Sequence, residues 1–523
     1  MRDKREVLKQ YFGYDSFRPG QEQVVDALLE GKDALAVMPT GAGKSICFQV
    51  PALLMDGITL VISPLLSLMK DQVMTLVANG VAGAYLNSSL TERQYEKAVE
   101  NAKAGKYKII YVAPERLLTP RFLSFALSAP ISMVAVDEAH CVSQWGQDFR
   151  PSYLDIAEFI GRLPRRPVVG AFTATATPKV KADILQLLQL NHPLTLGLGF
   201  DRPNLFFRVM EPKDKRAALW DFLEEQEGKS GIIYCATRKT VEELCAFLQE
   251  KGRKAVAYHG GMDHQQRAKN QEDFLYDRVP LMVATNAFGM GIDKPNVRFV
   301  VHYQMPKDVE SYYQEAGRAG RDGQKAQCLL LYAKKDVMVQ QFLIRNNKDN
   351  DRLSDEEKAK VQMADEERLK QMTWYCKTKE CLRRYLLRYF DEAAPKTCPS
   401  CGNCLGYARR EEVDYVPEGR FFSWVVDELW DEDGFLARRG KKKNTSWKDH
   451  PLFEQLKQVR KQLAERSGVP AFVVFSDATL EEMVEKMPRT EKQLLRISGV
   501  GQKKMELYGK AFLDAIADYC DQC

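Results

Sequence analysis

The sequence predicts an α/β protein with two successive parallel-sheet domains, then a helical region, then a small all-α domain. Three observations carry that expectation. Short β-branched runs alternate with helical stretches from about residue 33 to 335, and near-continuous apolar strands of this kind are what a parallel sheet covered on both faces requires. The alternation restarts after Asp201-Arg-Pro-Asn204, where Pro and Asn mark a turn or linker. Beyond residue 336 the pattern becomes helical and charged.

Composition narrows the class further. A length of 523 residues suits three to four domains of roughly 150 residues each. A hydrophobic share of 45% with 10% aromatic excludes disordered and collagen-like chains. Lys+Arg 76 against Asp+Glu 71 leaves +5, too small a surplus to argue for a polyanion partner alone. No apolar run reaches the length of a membrane span and no secretory signal is read at the start, so a cytoplasmic protein is expected.

In the first domain, expected at 1–204, the strand runs include Asp33-Ala-Leu-Ala-Val-Met-Pro39, Ile58-Thr-Leu-Val-Ile-Ser-Pro64, Lys108-Ile-Ile-Tyr-Val-Ala-Pro114 and Met133-Val-Ala-Val-Asp137. In the second, expected at 205–335, they are Gly231-Ile-Ile-Tyr-Cys-Ala236, Ala255-Val-Ala-Tyr-His259, Leu281-Met-Val-Ala-Thr285, Arg298-Phe-Val-Val-His302 and Cys328-Leu-Leu-Leu-Tyr332. A helical region is expected at 336–408, a less regular segment at 409–449 and short helices at 450–523.

Met38-Pro-Thr-Gly-Ala-Gly-Lys-Ser45 follows a strand run and precedes a helix, the context of a phosphate-binding loop. Backbone N–H groups of Thr40, Gly41, Ala42 and Gly43, with the helix N-terminus behind them, would face a polyphosphate. Lys44 would reach the terminal phosphates of ATP and Ser45 would hold Mg²⁺. Met38 stands where the commonest form of the pattern has Gly, and a Gly-rich turn without a ligand is the bland alternative. Asp137-Glu-Ala-His140 closes another strand. Asp137 could reach the metal and Glu138 could take a proton from the attacking water. Acidic strand ends are common, and the signal is strong only when paired with the loop. Gln314-Glu-Ala-Gly-Arg-Ala-Gly-Arg321 sets Arg318 and Arg321 at a spacing of three, on one face of a helix turn. From there they could enter the interdomain cleft and stabilise transition-state charge. A solvated arginine pair is the alternative.

These three motifs, in this order, resemble those of a superfamily 2 helicase, and the detail resembles the RecQ DNA helicase family. Tyr14-Asp-Ser-Phe-Arg-Pro-Gly-Gln21 is similar to the family's adenine-recognition segment, which implies that Tyr14 stacks on the base with Arg18 and Gln21 beside it. Ser63-Pro-Leu-Leu-Ser-Leu-Met-Lys-Asp-Gln72, Tyr111-Val-Ala-Pro-Glu-Arg116, Thr173-Ala-Thr-Ala176 and Phe288-Gly-Met-Gly-Ile-Asp-Lys294 resemble its motor motifs. The similarity runs over roughly residues 7–404 and 450–523. Ser143-Gln-Trp-Gly-Gln-Asp-Phe-Arg150 resembles the aromatic-rich loop that couples DNA to hydrolysis. Trp145 and Phe149 would offer π-faces and Arg150 charge, although core packing is the ordinary role of such aromatics. Gln147 departs from the family pattern, which usually has His there. Thr173 and Thr175 would link the DNA and ATP events.

Five of the 12 cysteines, Cys376, Cys381, Cys398, Cys401 and Cys404, crowd into one region. Two Cys-x₂-Cys spacings plus Cys381 make a four-thiolate set suited to tetrahedral Zn²⁺, with Cys376 a spare thiol and a redox Cys-x-x-Cys the competitor. The set resembles the RecQ zinc-binding subdomain. A winged helix of roughly 100 residues should follow in that pattern, but 409–449 is too short, so it is expected to be absent or a remnant. Lys441 to Lys443 could touch phosphate there or form a solvated linker. The tail resembles an HRDC domain through Ser467-Gly-Val-Pro-Ala-Phe-Val-Val-Phe-Ser-Asp-Ala-Thr-Leu480 and Leu494-Leu-Arg-Ile-Ser-Gly-Val-Gly501. Its Gly499-Val-Gly501 turn could grip a phosphate or be a plain interhelical turn.

The resemblance implies two tandem RecA-like motor domains, a helical zinc-binding subdomain and an all-α HRDC domain. It implies a 3′-to-5′ ATP-dependent DNA helicase of repair, recombination or replication, using ATP, Mg²⁺ and Zn²⁺. Single-stranded and tailed or forked double-stranded DNA would be its partners, with single-strand-binding protein and other repair proteins as further candidates. A monomer acting at the nucleoid, away from membranes, is expected. A single-strand translocase without efficient unwinding, an RNA helicase and a non-hydrolysing scaffold are the alternatives.

Overall fold

A computed structural model describes residues 3–64, 66–87, 90–288, 294–346, 354–407 and 450–522. The expected linker at 409–449, with its Lys441 to Lys443 run, and parts of the Ser63 and Phe288 motifs lie outside the described residues.

The first sheet has seven parallel strands: β1 Ala34–Val37, β2 Ile58–Ile62, β3 Gly83–Leu86, β4 Ile109–Val112, β5 Ile131–Val136, β6 Val168–Thr173 and β7 Leu194–Gly197, in the order β3-β4-β2-β5-β6-β1-β7. Every residue of β1, β2 and β4 is buried, as helices on both faces demand. The edge strands β3 and β7 are part-exposed. Because β5, β6 and β1 are neighbours, their C-terminal ends bring Asp137, Thr173 and the loop after Val37 to one rim. Ligands in open parallel sheets bind at that rim.

The second sheet has six parallel strands: β8 Leu205–Met210, β9 Ser230–Tyr234, β10 Ala255–Tyr258, β11 Leu281–Ala284, β12 Val297–His302 and β13 Ala326–Leu331, in the order β10-β11-β9-β12-β13-β8. Central β12 leads into helix Val309–Ala316, which Asp308 caps by accepting from the Ser311 amide at 2.6 Å. Each strand run named from the sequence falls on a strand. β3, β6, β7 and β8 are additional.

Helices Lys334–Arg345, Asp355–Lys377 and Leu382–Tyr389 follow. The second begins with a capping box in which Ser354 and Glu357 satisfy each other's amides. Cys381 caps the start of the third. The cysteine knuckle is stitched to edge strand β8: the Phe207 amide donates to Ser400 O at 3.2 Å and the Gly402 amide to Phe207 O at 2.8 Å. Arg383 adds bonds to Leu205 O at 2.6 Å and Ser400 Oγ at 2.7 Å.

The C-terminal helices, Pro451–Ser467, Asp477–Lys486 and Lys510–Gln522 among them, enclose their own core of Leu452, Leu456, Leu480, Phe512 and Ile516. This unit touches both sheets' domains. The Gly499 amide donates to Gly13 O at 2.9 Å, and Gln324 Nε2 donates to Glu481 Oε1 at 2.8 Å. The Gly499-Val-Gly501 turn, read as a possible phosphate grip, is thus docked against the protein's own N-terminal segment. No helix among the described residues is long and apolar enough to cross a membrane.

Candidate active site

The loop after β1 turns through two glycines with left-handed backbones, Gly41 at φ 87° and Gly43 at φ 81°. Side chains would be strained there, and a Cβ on Gly43 would lie 2.5 Å from Gln21 Nε2. Gln21 donates from Nε2 to Ala42 O at 3.1 Å and Gly43 O at 3.0 Å, while its Oε1 accepts from the Arg18 amide at 2.8 Å. Arg18 donates to Gly41 O at 2.6 Å. The Ala42 amide donates to Pro39 O at 3.0 Å, and the N-terminus of helix Lys44–Leu54 follows directly, where its first amides can meet an anion. Tyr14 lies in the same N-terminal segment and is 39% exposed, open enough for a base to cover it.

Asp137 follows β5, its amide bonded to Ile62 O at 2.9 Å. Burial pushes its carboxyl up, Glu138 pushes further, and Lys44 opposes both, so loop lysine and strand-end carboxylate share one field. Glu138 has a left-handed backbone, φ 47°, unusual for a non-glycine residue. Its Oε2 is buried, lacks a hydrogen bond among the described residues and lies 3.4 Å from His140 Nδ1. A carboxylate so placed has capacity for one more proton donor.

From Glu138 a buried polar chain crosses the cleft. His140 Nδ1 is 2.8 Å from Thr173 Oγ1, which donates to Thr175 O at 2.9 Å. Burial lowers the His140 pKa, favouring the neutral ring. Gln147 Nε2 is 3.5 Å from His140 Nε2 and donates to Gln314 Oε1 at 2.9 Å, while Thr175 Oγ1 reaches Gln147 Oε1 at 3.4 Å. Gln147 therefore uses both ends of its amide, joining Glu138's neighbours to the second domain.

Arg318 and Arg321 do not share a helix face as expected. Helix Val309–Ala316 ends at Gly317, and Gly320 takes a left-handed backbone (φ 57°) that turns the chain. Arg318 is buried beside Tyr234, and Arg321 lies against the phosphate loop, its Cγ 3.5 Å from where a Gly41 Cβ would sit. Arg202, read from sequence as part of a linker, clamps this juncture. It donates to Thr40 O at 2.8 Å in the loop and to Gly317 O, Ala319 O and Gly320 O at 3.0–3.3 Å.

Trp145 is 40% exposed, with Lys179 Nζ 2.9 Å from its ring centroid. Phe149 is half-buried, and Arg150 is committed to Pro64 O at 3.0 Å and Asp148 at 3.4 Å. Gln147, Thr173 and Thr175 are buried inside the network.

The Sγ atoms of Cys381, Cys398, Cys401 and Cys404 all lie within 4.8 Å of one another, with Cys381 and Cys401 at 3.8 Å. Four thiolates at Zn–S distances of about 2.3 Å stand about 3.8 Å apart in a tetrahedron, so the set fits the ion. Cys376 is buried outside it.

Family models match in series: DEAD/DEAH box helicase at residues 18–184, helicase conserved C-terminal domain at 214–323, RecQ zinc-binding at 334–405 and HRDC domain at 449–516. The chain is 39% identical to the ATP-dependent DNA helicase RecQ of Bacillus subtilis (strain 168) over 588 aligned positions, covering 98% of each. It is 36% identical to that of Pasteurella multocida (strain Pm70), covering 98% of this chain and 93% of the other. The fold resembles the Mycobacterium smegmatis helicase Lhr, solved with ssDNA and AMP-PNP, at 22% identity and TM-score 0.52, over 64% of this chain and 48% of that one.

Proposed function

Because the chain belongs to the RecQ family of ATP-dependent DNA helicases, we propose that ATP binds between the loop 40–45 and Arg321, and that closure of this cleft drives 3′-to-5′ movement along one DNA strand. The carrying observation is the phosphate loop's double embrace, Arg18 and Gln21 behind it and Arg202 and Arg321 across the cleft. Tyr14 would stack on adenine, with Arg18 and Gln21 setting the loop rather than reading the base alone. Lys44 and the amides of Thr40, Gly41 and Gly43 would hold the phosphates, joined by the Ala42 amide if it exchanges its bond to Pro39 O for the ligand. Ser45 and Asp137 would hold Mg²⁺, which supplies charge neutralisation for the separating phosphates. Glu138 would accept the proton of the attacking water through its uncommitted Oε2. Arg318 and Arg321 would stabilise charge in the transition state, with Gln314 reporting to Gln147. Trp145 and Phe149 would meet bases, and Arg150 would brace their loop. Cys381, Cys398, Cys401 and Cys404 would hold a structural Zn²⁺.

We propose the domain limits 1–204, 205–335, 336–408, 409–449 and 450–523. Little room for a winged helix remains, because the zinc-binding and HRDC matches leave only residues 406–448 between them. That favours a second reading, a translocase that unwinds poorly. The test pairs ATP hydrolysis with strand displacement on a 3′-tailed duplex, using Lys44→Ala as the blank. Stimulated hydrolysis with displacement supports unwinding. Stimulation without displacement supports the translocase, and a Lys44→Ala protein as active as the parent would sink the site assignment.

A further inference from the structure

The backbone of the Trp145 loop is held by two cations that belong neither to the loop nor to its domain. Arg368, on helix Asp355–Lys377, donates from NH1 to Trp145 O at 2.8 Å. Lys307, between β12 and helix Val309–Ala316, donates from Nζ to Gln147 O. Both converge on Asp308, whose Oδ2 is buried without a hydrogen-bond partner among the described residues, 3.8 Å from Lys307 Nζ and 4.0 Å from Arg368 Nε. Arg368 is only 7% exposed and also pairs with Asp365. Its remaining neighbours are Glu310, whose carboxyl burial pushes up to about 7, and Tyr389, which donates to Glu310 Oε1 at 2.7 Å.

A desolvated guanidinium is costly to bury, and salt bridges to Asp365 alone would not require it to point at a carbonyl. The carbonyl it chooses is two residues from Gln147, the residue that spans from His140 to Gln314. Asp308, which anchors both cations, caps the helix bearing Gln314. Three regions therefore meet on the three residues 145–147, and the helix carrying Arg368 ends four residues before Cys381.

We propose that Arg368, assisted by Lys307, is a positioning residue that converts strand occupancy at Trp145 into the Gln147–Gln314 register needed for hydrolysis. When a base engages Trp145, the loop can shift only with its carbonyls, and the two cations pass that shift to Asp308 and the Gln314 helix. The zinc-bearing region thereby takes part in coupling without touching ATP or DNA through these residues. The proposal rests on Trp145 being the DNA-coupling loop.

The test measures ATP turnover of the full chain with and without single-stranded DNA, the DNA concentration for half-maximal stimulation, and thermal stability. In Arg368→Lys, charge is kept for Asp365 and Asp308, but one ammonium cannot also reach Trp145 O. DNA-stimulated turnover should fall about tenfold to a hundredfold, the range for one charge-assisted bond. DNA-free turnover and half-saturating DNA should stay within about twofold, since the residue lies outside the proposed ATP and strand sites, and the melting temperature should fall by no more than about 5 °C. Lys307→Met, at a half-buried position, serves if Arg368→Lys does not fold, and should lower stimulated turnover about threefold to tenfold with the same selectivity. Proportional loss of basal and stimulated turnover, or intact stimulation in both variants, overturns the proposal. Trp145→Ala separates the two layers: if it leaves stimulation intact, the loop assignment fails, whereas lost stimulation there with intact stimulation in Arg368→Lys defeats the positioning role alone.

Discussion

The two parallel sheets present the same kind of C-terminal rim and use it in opposite ways. On the first, β1, β5 and β6 deliver a glycine loop, two carboxylates and a buried His140–Thr173 pair. On the second, the segments following β12 deliver an amide and two cations: Gln314, Arg318 and Arg321. Neither rim alone holds the full set proposed for hydrolysis, so the proposed chemistry requires their contact. Three of the bonds that make this contact share a trait. Arg202, Lys307 and Arg368 all grip backbone carbonyls, at Thr40, Gln147 and Trp145. These three links therefore depend on the backbone of the loops they grip, whereas the Gln147–Gln314 bond depends on both side chains.

Severing the contact should have the largest effect. Arg202→Ala takes a donor from four carbonyls, of which Gly320 O keeps Asn204 Nδ2 at 2.9 Å, and frees the Arg321 turn from the loop at 40–45. DNA-stimulated turnover should fall by about 10²–10³-fold, as when an oriented transition-state donor is lost, with ATP affinity changed far less. Steady-state kinetics read this directly, and unchanged turnover would show the rims meet without it. Gln147→His sharpens the comparison by making the crossing link titratable. Burial holds such a ring below its ordinary pKa of about 6.5, so it should be neutral above pH 7 and match the parent. As pH falls through about 6 the ring gains a proton beside buried His140 and loses its acceptor, and stimulated turnover should drop about tenfold relative to the parent. A flat ratio across pH would place Gln147 outside the coupling path. The smallest effect is expected at the docked tail. A Cβ on Gly13, at φ 76°, would approach the Gly499 to Gly501 backbone to 2.6–2.8 Å. Gly13→Ala should weaken docking by about 1–2 kcal/mol, seen as faster proteolytic release of the C-terminal unit with turnover altered less than about threefold.

The first rim was largely legible in sequence and the second only partly. A phosphate loop announces itself because its glycines, lysine and following helix are contiguous, and the strand-end carboxylates lie on a run as apolar as β5. β3 and β7 carry little sequence signal because edge strands are half-exposed and have no continuous apolar run, and β6 because Gly170 interrupts it. Arg318 and Arg321 were recognised as a pair but placed on a helix, since spacing alone does not reveal that Gly317 and Gly320 unwind it. Arg202, Lys307 and Arg368 had no sequence signal. Their partners lie 162, 160 and 223 residues away, and a cation seeking a carbonyl obeys no motif. Gly499-Val-Gly501 has the composition of an anion turn, but its close approach to Gly13 is what the missing side chains permit.

The stitch between Phe207 and the cysteine knuckle carries a further consequence. β8 closes the second sheet on one side, and its outer row of amides and carbonyls is the kind of surface on which foreign chains nucleate. Ser400 and Gly402 occupy part of that row, so the knuckle acts as a plug on an adhesive border. Stripping the metal would then do more than loosen a subdomain. It would uncover a template for intermolecular strand addition, and the demetallated protein should be lost to precipitation before it is lost to simple unfolding.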